Sequence, residues 1–145
     1  MKYEKIFKEK FNSIINEYHL KYVDILNDTI ALIGRKYALV VTIHLDNMYV
    51  QYVFRNEENN YIGYNVSSYF VSKFDSDDRR GIDAPNNVEE TLVAIFNIWS
   101  RGLPRHWSNM LKGDLAWLQD YEKFELAVEP KLVDSSVSSK LDNLI

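Results

Sequence analysis

The stretch that decides the fold is residues 37–54, YALVVTIHLDNMYVQYVF. Large apolar side chains occupy every second position from Tyr37 to Leu45, and smaller or more polar ones lie between them. This period of two predicts a strand with one strongly apolar face. Asp46 and Asn47 tolerate positive φ and suit a two-residue turn, after which the alternation resumes. The stretch therefore predicts a β-hairpin.

Similar patterns on both sides extend this hairpin into a sheet. Apolar runs separated by short polar segments predict four strands, near residues 29–33, 37–45, 48–55 and 61–73. Because each connection is short, neighbouring strands run antiparallel and form a meander. The piece VDILND, residues 23–28, either extends the first strand or forms a short extra one.

Two amphipathic helices lie before and after these strands. Residues 2–20 place apolar side chains at helical spacing, with Lys and Glu on the opposite face. Asn87 and Glu90 form a variant capping box at the start of a second helix, residues 88–101. We expect this helix to end at Gly102, because a proline follows two residues later.

The segment GLPRHWSNMLKGDLAWL, residues 102–118, contains two helix junctions in quick succession. Pro104 suits the first turn of a short helix that ends near Lys112, with Gly113 after it. Asp114 then caps a third helix.

These elements predict an α+β fold, in which an N-terminal helix, a four-stranded antiparallel meander and C-terminal helices pack together, all helices lying on one face. The chain has 145 residues, which suits one domain, and we place it at residues 1–130. Residues 131–145 turn polar and serine-rich. They form either a loose tail or a weak terminal helix that places Val137, Leu141 and Leu144 on one side.

Composition restricts the possible functions. The chain has no cysteine, which excludes disulfides and thiolate metal sites. It shows no signal-peptide core and no run of apolar residues that could span a membrane, so a cytoplasmic protein is expected. The net charge is −4, and an acidic protein is a poor default partner for nucleic acid. Oligomeric state does not follow from the sequence.

No motif for catalysis or for metal binding stands out. His19, His44 and His106 are far apart, and none belongs to a metal-spacing pair. The stretch DSDDRRG, residues 75–81, departs from the calcium-loop pattern at its fifth, sixth and twelfth positions. Phosphate-binding, dinucleotide-binding and nucleophile-elbow motifs are also missing. We therefore predict no catalytic residue, no metal and no cofactor.

Three groups of residues are candidates for binding a protein partner. Six carboxylates and two arginines between Asp75 and Glu90 leave a local charge of −4, which would steer a basic protein. An aromatic and basic group could anchor it. Tyrosines on the weaker face of the strands could add contacts. The candidates are Asp75, Asp77, Asp78 and Asp83; Arg105, His106, Trp107 and Trp117; and Tyr49, Tyr61 and Tyr69. The alternatives are that the tryptophans fill the core and the tyrosines pair across strands.

The overall plan resembles the small immunity proteins that are encoded beside bacterial polymorphic toxins. The segments that carry the resemblance are LNDTIALIGRKYALVV, residues 26–41, and LPRHWSNMLKGDLAWL, residues 103–118, within most of residues 20–125. The resemblance implies a non-enzymatic protein that neutralises a cognate toxin by stoichiometric binding in the cytosol of the producing cell, and a basic toxin domain is the expected partner. No functional residue is carried over from it.

Two other interpretations remain open. The chain could be a small-ligand-binding or enzyme-type domain, with a pocket between the sheet and the C-terminal helices around His106. It could also be a structural or oligomeric module. The missing catalytic motif favours the binding protein.

Overall fold

The structure is a computed structural model that describes residues 1–142. The helices are α1 (Glu4–Glu17), α2 (Ser67–Val71), α3 (Val88–His106), α4 (Ser108–Leu111), α5 (Trp117–Glu122) and α6 (Ser135–Leu141). The strands are β1 (Lys21–Leu26), β2 (Thr29–Gly34), β3 (Tyr37–His44), β4 (Asn47–Arg55), β5 (Tyr61–Asn65) and β6 (Lys131–Leu132). These elements confirm the α+β class.

The six strands form one antiparallel sheet whose spatial order, β1 to β6, is the order along the chain. The prediction of four strands is wrong in number. The ambiguous residues 23–28 largely form β1, and β6 comes from the segment that was expected to be a tail or a terminal helix.

The strand predicted for residues 61–73 is less than half as long in the structure. It ends at Asn65, and α2 follows. The ladder stops because the hydroxyl of Ser67 accepts a hydrogen bond from the Val50 amide at 2.8 Å, where a strand carbonyl would otherwise do so. Alternation alone could not reveal this side-chain bond.

The β3–β4 hairpin is confirmed, with its turn one residue earlier than expected. His44 pairs with Asn47, so Leu45 and Asp46 form the turn and Asn47 begins β4. Leu45 has a φ of 56°, a conformation that favours glycine or asparagine.

An aromatic core lies between one face of the sheet, called the main face here, and the helices α1 to α5. Phe7 and Phe11 of α1 stack with ring centroids 4.3 Å apart, and Phe96 of α3 meets the Phe7 ring edge-on at 5.3 Å. On the sheet, Tyr37 and Tyr52 stack at 4.8 Å. All of these side chains are buried.

The opposite, second face of the sheet is covered by α6. Its side chains are mostly small and aliphatic, and Val137 and Leu141 pack onto them. The expectation that helices lie on one face only is therefore wrong, because the serine-rich terminal segment is amphipathic enough to cover the second face. The predicted contact of Leu144 lies outside the described residues.

Helix α3 is longer than predicted, since it runs through Gly102 to His106. Gly102 does not end the helix. A Cβ there would lie 2.4 Å from the ring of Phe74, so the glycine permits close contact between α3 and the chain that follows α2. The start of α3 agrees with the prediction, because the Asn87 side chain accepts a hydrogen bond from the Glu90 amide at 2.8 Å.

The two junctions predicted in residues 102–118 are present with different bounds. Gly113 follows α4 with a φ of 88°, as a residue after a helix end does. Asp114 accepts a hydrogen bond from the Ala116 amide at 2.8 Å, but it does not cap α5 as predicted, because the N-cap residue of that helix is Ala116. Of the helices within residues 1–142, none combines the length and hydropathy that crossing a bilayer requires.

Candidate functional site

The fold brings four of the predicted site residues together at the C-terminal end of α3. We call Asp75, Asp78, Arg105 and His106 the Asp78 cluster. The Arg105 guanidinium donates to Asp75 Oδ1 at 2.9 Å and also to Asp78 Oδ1. His106 Nε2 lies 2.9 Å from Asp78 Oδ2, within hydrogen-bond distance. The adjacent Arg105 and His106 thus share the carboxylate of Asp78, which lies 28 positions before His106 in the sequence.

A compact turn in the chain between α2 and α3 presents the two carboxylates. Asp75 Oδ1 accepts from the amides of Asp77 and Asp78 at 3.0 and 3.2 Å, and Asp78 Oδ2 accepts from the Asp75 amide at 2.9 Å. Arg101 of α3 then donates to the backbone carbonyls of Asp78 and Arg80 at 3.2 and 2.7 Å. The cluster therefore fastens the connection to α3.

Hydrogen bonds within the Asp78 cluster stabilise the charges of its two carboxylates. Burial disfavours the charged form of Asp78, which has no solvent exposure. The hydrogen bonds from the Asp75 amide, Arg105 and His106 outweigh burial, so the pKa of Asp78 lies below its usual range. The hydrogen bond from Arg105 lowers the pKa of Asp75 to about 2. Both carboxylates are therefore ionised near neutral pH.

The chemistry of this cluster fits a structural ion-pair network better than a metal centre. Ligand atoms of Asp75, Asp78 and His106 all lie within 4.8 Å of one another, which is a spacing that a cation could use. Arg105 already donates to both carboxylates, so a cation would have to displace a guanidinium. The donor set is electrostatically satisfied by the chain itself.

The same cluster borders a cleft of about 420 Å³, which is also lined by Lys73, Asp114, Asp120 and Trp117. A buried aspartate that orients a histidine is an arrangement used for proton transfer. The indole N–H of Trp117 is buried without a hydrogen-bond partner among residues 1–142. The cleft adjoins His106, as the ligand-binding alternative expects, but its lining residues belong to helices and loops and none to a strand of the sheet.

The acidic connection is less available to a partner than the sequence suggested. Asp78 is fully buried, and Asp77 forms an ion pair with Arg80. Of the four candidate aspartates, Asp77 and Asp83 are exposed and Asp75 is half-buried, and Glu89 and Glu90 are also exposed. Arg105 of α3, which the count over adjacent residues did not include, pairs with three of these carboxylates and offsets one unit of the predicted local charge of −4.

The predicted aromatic anchors lie mostly inside the molecule. Trp107 and Trp117 are 5% and 7% exposed, and Trp107 Nε1 donates to the Phe70 carbonyl at 2.9 Å. Tyr69 is on α2 rather than on a strand, with its ring 4.6 Å from that of Trp107. The structure thus favours the core interpretation for both tryptophans and corrects the expected exposure of Tyr69.

The two remaining tyrosines share the second face but differ in exposure. Tyr61 is buried, because α6 covers it and its hydroxyl donates to the Leu141 carbonyl at 3.2 Å. Tyr49 is 47% exposed. The expectation of an outward ring is therefore confirmed for Tyr49 and wrong for Tyr61. Contact with a partner stays a prediction for every residue of the three groups.

The structure reveals an apolar surface that the sequence interpretation missed. We call it the hairpin end, because the β1–β2 and β3–β4 turns meet the start of α3 there. Leu26, Leu45 and Val88 are 52%, 72% and 45% exposed. A depression of about 390 Å³ lies among Leu45, Val88, Met1, Tyr3 and Ile43. The signal was Leu45 beside the predicted turn, but alternation assigned it to the inward face of a strand.

The rim of the hairpin end is acidic. Asp28, Asp46 and Glu89 are exposed, and within residues 1–142 none of the three forms a salt bridge. Of the residues that line the depression, Asp28 is acidic and Lys2 is basic. The exposed apolar side chains therefore lie beside acidic residues, whose charge Lys2 offsets in part.

Comparisons with protein families, with curated proteins and with solved structures found no match to this chain.

Proposed function

We propose that this chain is a non-enzymatic binding protein that neutralises a basic partner protein by occupying it, as an immunity protein occupies a toxin. The observation that supports the proposal most is the exposure and conformation of Leu45. It is a large apolar side chain, 72% exposed, at the tip of a hairpin in a left-handed conformation.

Leu45 lowers the free energy of unfolding and makes no evident contact that compensates for it. An L-residue in this conformation is disfavoured by about 1–2 kcal/mol, whereas glycine and asparagine adopt it readily. The exposed side chain returns little of that energy through burial in the chain. The two-residue turn requires a positive φ at this position but not a leucine. Residues held in strained conformations cluster at functional sites, where a partner uses the side chain.

The charge of the rim indicates the chemistry of the partner. Asp28 lines the depression, and exposed Asp46 and Glu89 directly follow Leu45 and Val88 in sequence. Such charges steer a basic protein to the surface, and desolvation of an apolar anchor then holds it. The proposed occupant is therefore a basic protein domain with an apolar pocket that receives Leu45.

The test uses the products of the genes adjacent to the one that encodes this chain. Each is purified and mixed with the protein, and the complex is measured by light scattering after gel filtration. The expected result is a one-to-one complex whose toxic activity is lost on binding. Leu45→Asn should weaken it at least about tenfold, because an anchor residue contributes more than about 1.4 kcal/mol.

Leu126→Asn is the matched control, since Leu126 is 62% exposed but lies far along the chain from the hairpin end. It should leave the affinity unchanged. Absence of a complex with either adjacent product would contradict the proposal, and equal weakening by both variants would remove the assignment to the hairpin end.

A second candidate function is catalysis or small-ligand binding at the cleft beside the Asp78 cluster. The observation that favours it is the contact between His106 and buried Asp78 at 2.9 Å on the cleft wall. We expect His106→Ala to leave biological activity within a few fold. A loss of more than about a hundredfold with an unchanged melting curve would favour the enzyme instead, because positioned acid–base catalysis contributes about that much.

A further inference from the structure

A second cleft lies at the end of the sheet opposite the hairpin end. It encloses about 840 Å³ between the C-terminal end of α1, the β2–β3 turn and the end of α4. We call it the basic cleft, because Lys21, Arg35, Lys112 and His19 line it, against a single acidic side chain, Glu17. We propose that the basic cleft binds a small organic anion that carries an apolar or aromatic body.

The cations of this cleft are not neutralised by the protein. Within residues 1–142, Lys21, Arg35 and Lys112 take part in no salt bridge, although the whole chain carries a net charge of −4. Three cations around one concavity repel one another, and the concave shape concentrates their field. A bound anion removes that repulsion.

The walls of the basic cleft are fixed before any ligand arrives. A Cβ on Gly113 would lie 2.5 Å from the Arg35 carbonyl oxygen, so only glycine lets the β2–β3 turn lie against the end of α4. The buried hydroxyl of Tyr37 donates to the Leu111 carbonyl at 2.7 Å and holds the same junction. A rigid site loses less entropy on binding than a flexible one.

The third wall is fastened in a similar way. The hydroxyl of Tyr18, the residue directly after α1, donates to the Ser108 hydroxyl at 3.2 Å and joins α1 to α4. His19, which follows it, has a φ of 55°, so the chain turns sharply from α1 into β1 along the rim. The cations of the rim therefore project from three anchored segments.

The floor of the cleft indicates which anions fit. Tyr18, Ile33, Gly34 and Leu111 line it with mainly apolar atoms. A bare inorganic ion would leave this floor in water. An anion with an apolar body covers the floor while its charged group reaches Arg35 and Lys112, which combines an apolar pocket with a few placed charges.

The experiment compares three probes by isothermal titration calorimetry at low salt. Phenyl phosphate has both features, inorganic phosphate has only the charge, and phenol has only the ring. We expect saturable one-to-one binding of phenyl phosphate with a Kd below about 10 mM, and at least about tenfold weaker binding of the other two. Added salt should weaken the binding of phenyl phosphate, because screening acts on exposed charges.

The double variant Arg35→Gln, Lys112→Gln should weaken phenyl phosphate at least about tenfold. Lys5→Gln, Lys123→Gln is the matched control, because it removes the same charge from exposed positions outside the cleft, and it should change the Kd less than about twofold. Three results would overturn the proposal: no saturable binding up to about 10 mM, equal weakening in both double variants, or inorganic phosphate binding as tightly as phenyl phosphate.

Discussion

The two faces of the sheet are stabilised in different ways. The main face lies under five helices and contains stacked and edge-on aromatic rings, with buried tyrosine and tryptophan groups that donate to backbone carbonyls. The second face lies under one helix of seven residues and consists mainly of alanine, valine and isoleucine side chains. Large aromatic side chains bury more apolar area and fix geometry more tightly. We therefore expect the main face to determine global stability and the second face to open more easily.

The largest expected effect is on the main face. Phe96→Ala should lower the free energy of unfolding by about 3–5 kcal/mol, because Phe96 is fully buried between α1 and the sheet. Urea denaturation followed by tryptophan fluorescence measures this change. A loss below about 1 kcal/mol would show that the aromatic core is not the main source of stability.

The main face also depends on the Asp78 cluster, which holds the chain after α2 against α3. Asp78→Ala should cost about 3 kcal/mol, since it leaves a buried backbone amide, Arg105 and His106 without their shared acceptor. Arg105 is 42% exposed and can be rehydrated, which places the cost at the lower end of the range for buried ion pairs. Asp77→Ala is the control on the same turn and should cost no more than about 0.5 kcal/mol.

The pH dependence of stability tests the contribution of the Asp78 cluster. The folded pKa values of Asp75 and Asp78 are lowered, that of Asp75 to about 2. Their contribution is therefore complete above the unfolded value of about 3.9 and is lost as the pH falls towards 2. The wild type should lose stability in this window, and Asp78→Ala should lose less of it. An identical acid dependence in both proteins would contradict a stabilising role of the Asp78 cluster.

A matched pair of leucines measures the difference between the faces directly. Leu141 on α6 and Leu103 on α3 are both buried, at 0% and 1% exposure. Leu141→Ala should cost about 2 kcal/mol, because a thin layer relaxes into the space, and Leu103→Ala should cost about 4 kcal/mol, because its surroundings are packed on all sides. Equal costs would show that the second face is as rigid as the main one.

The smallest effect is expected outside both faces, at the hairpin end. Leu45→Asn should raise the free energy of unfolding by about 0.5–1 kcal/mol, since asparagine tolerates a positive φ. Leu126→Asn, the control, should change it by less than about 0.5 kcal/mol. Stabilisation together with loss of partner binding would identify Leu45 as a residue kept for recognition. A destabilised Leu45→Asn protein would argue that the leucine supports the fold.

The features that local patterns could predict are those with local causes. The β3–β4 hairpin, the capping of α3 by Asn87 and the glycine after α4 follow from neighbouring residues, and the structure confirms them. The limit of such patterns is visible at Ser67 and Gly102. At Ser67, a side-chain bond to β4 replaces strand pairing. Residue 102 is a glycine because the Phe74 ring occupies the place of its Cβ, so this glycine does not mark a helix end. Both causes come from another part of the chain.

The candidate site shows the same limit more strongly. Asp78 and Arg105 were both recognised as candidates, but as separate groups that face solvent. Their pairing neutralises charge that a count along the sequence leaves free. Conversely, the hairpin end joins two turns with the start of α3, and no window of sequence contains all three. Burial and pairing over long range decide which charged and apolar groups a partner can reach.

The strand order of the sheet also sets the order in which the chain can fold during synthesis. The first five strands pair in sequence through short turns, so each hairpin can close soon after its second strand leaves the ribosome. Strand β6 and helix α6 follow only after the whole helical layer of the main face. Until then, the strip of Ala31, Val40 and Val53 has no cover. A nascent chain that stalls before α6 therefore exposes an apolar sheet surface, the kind of intermediate that chaperones bind and that aggregates when they do not.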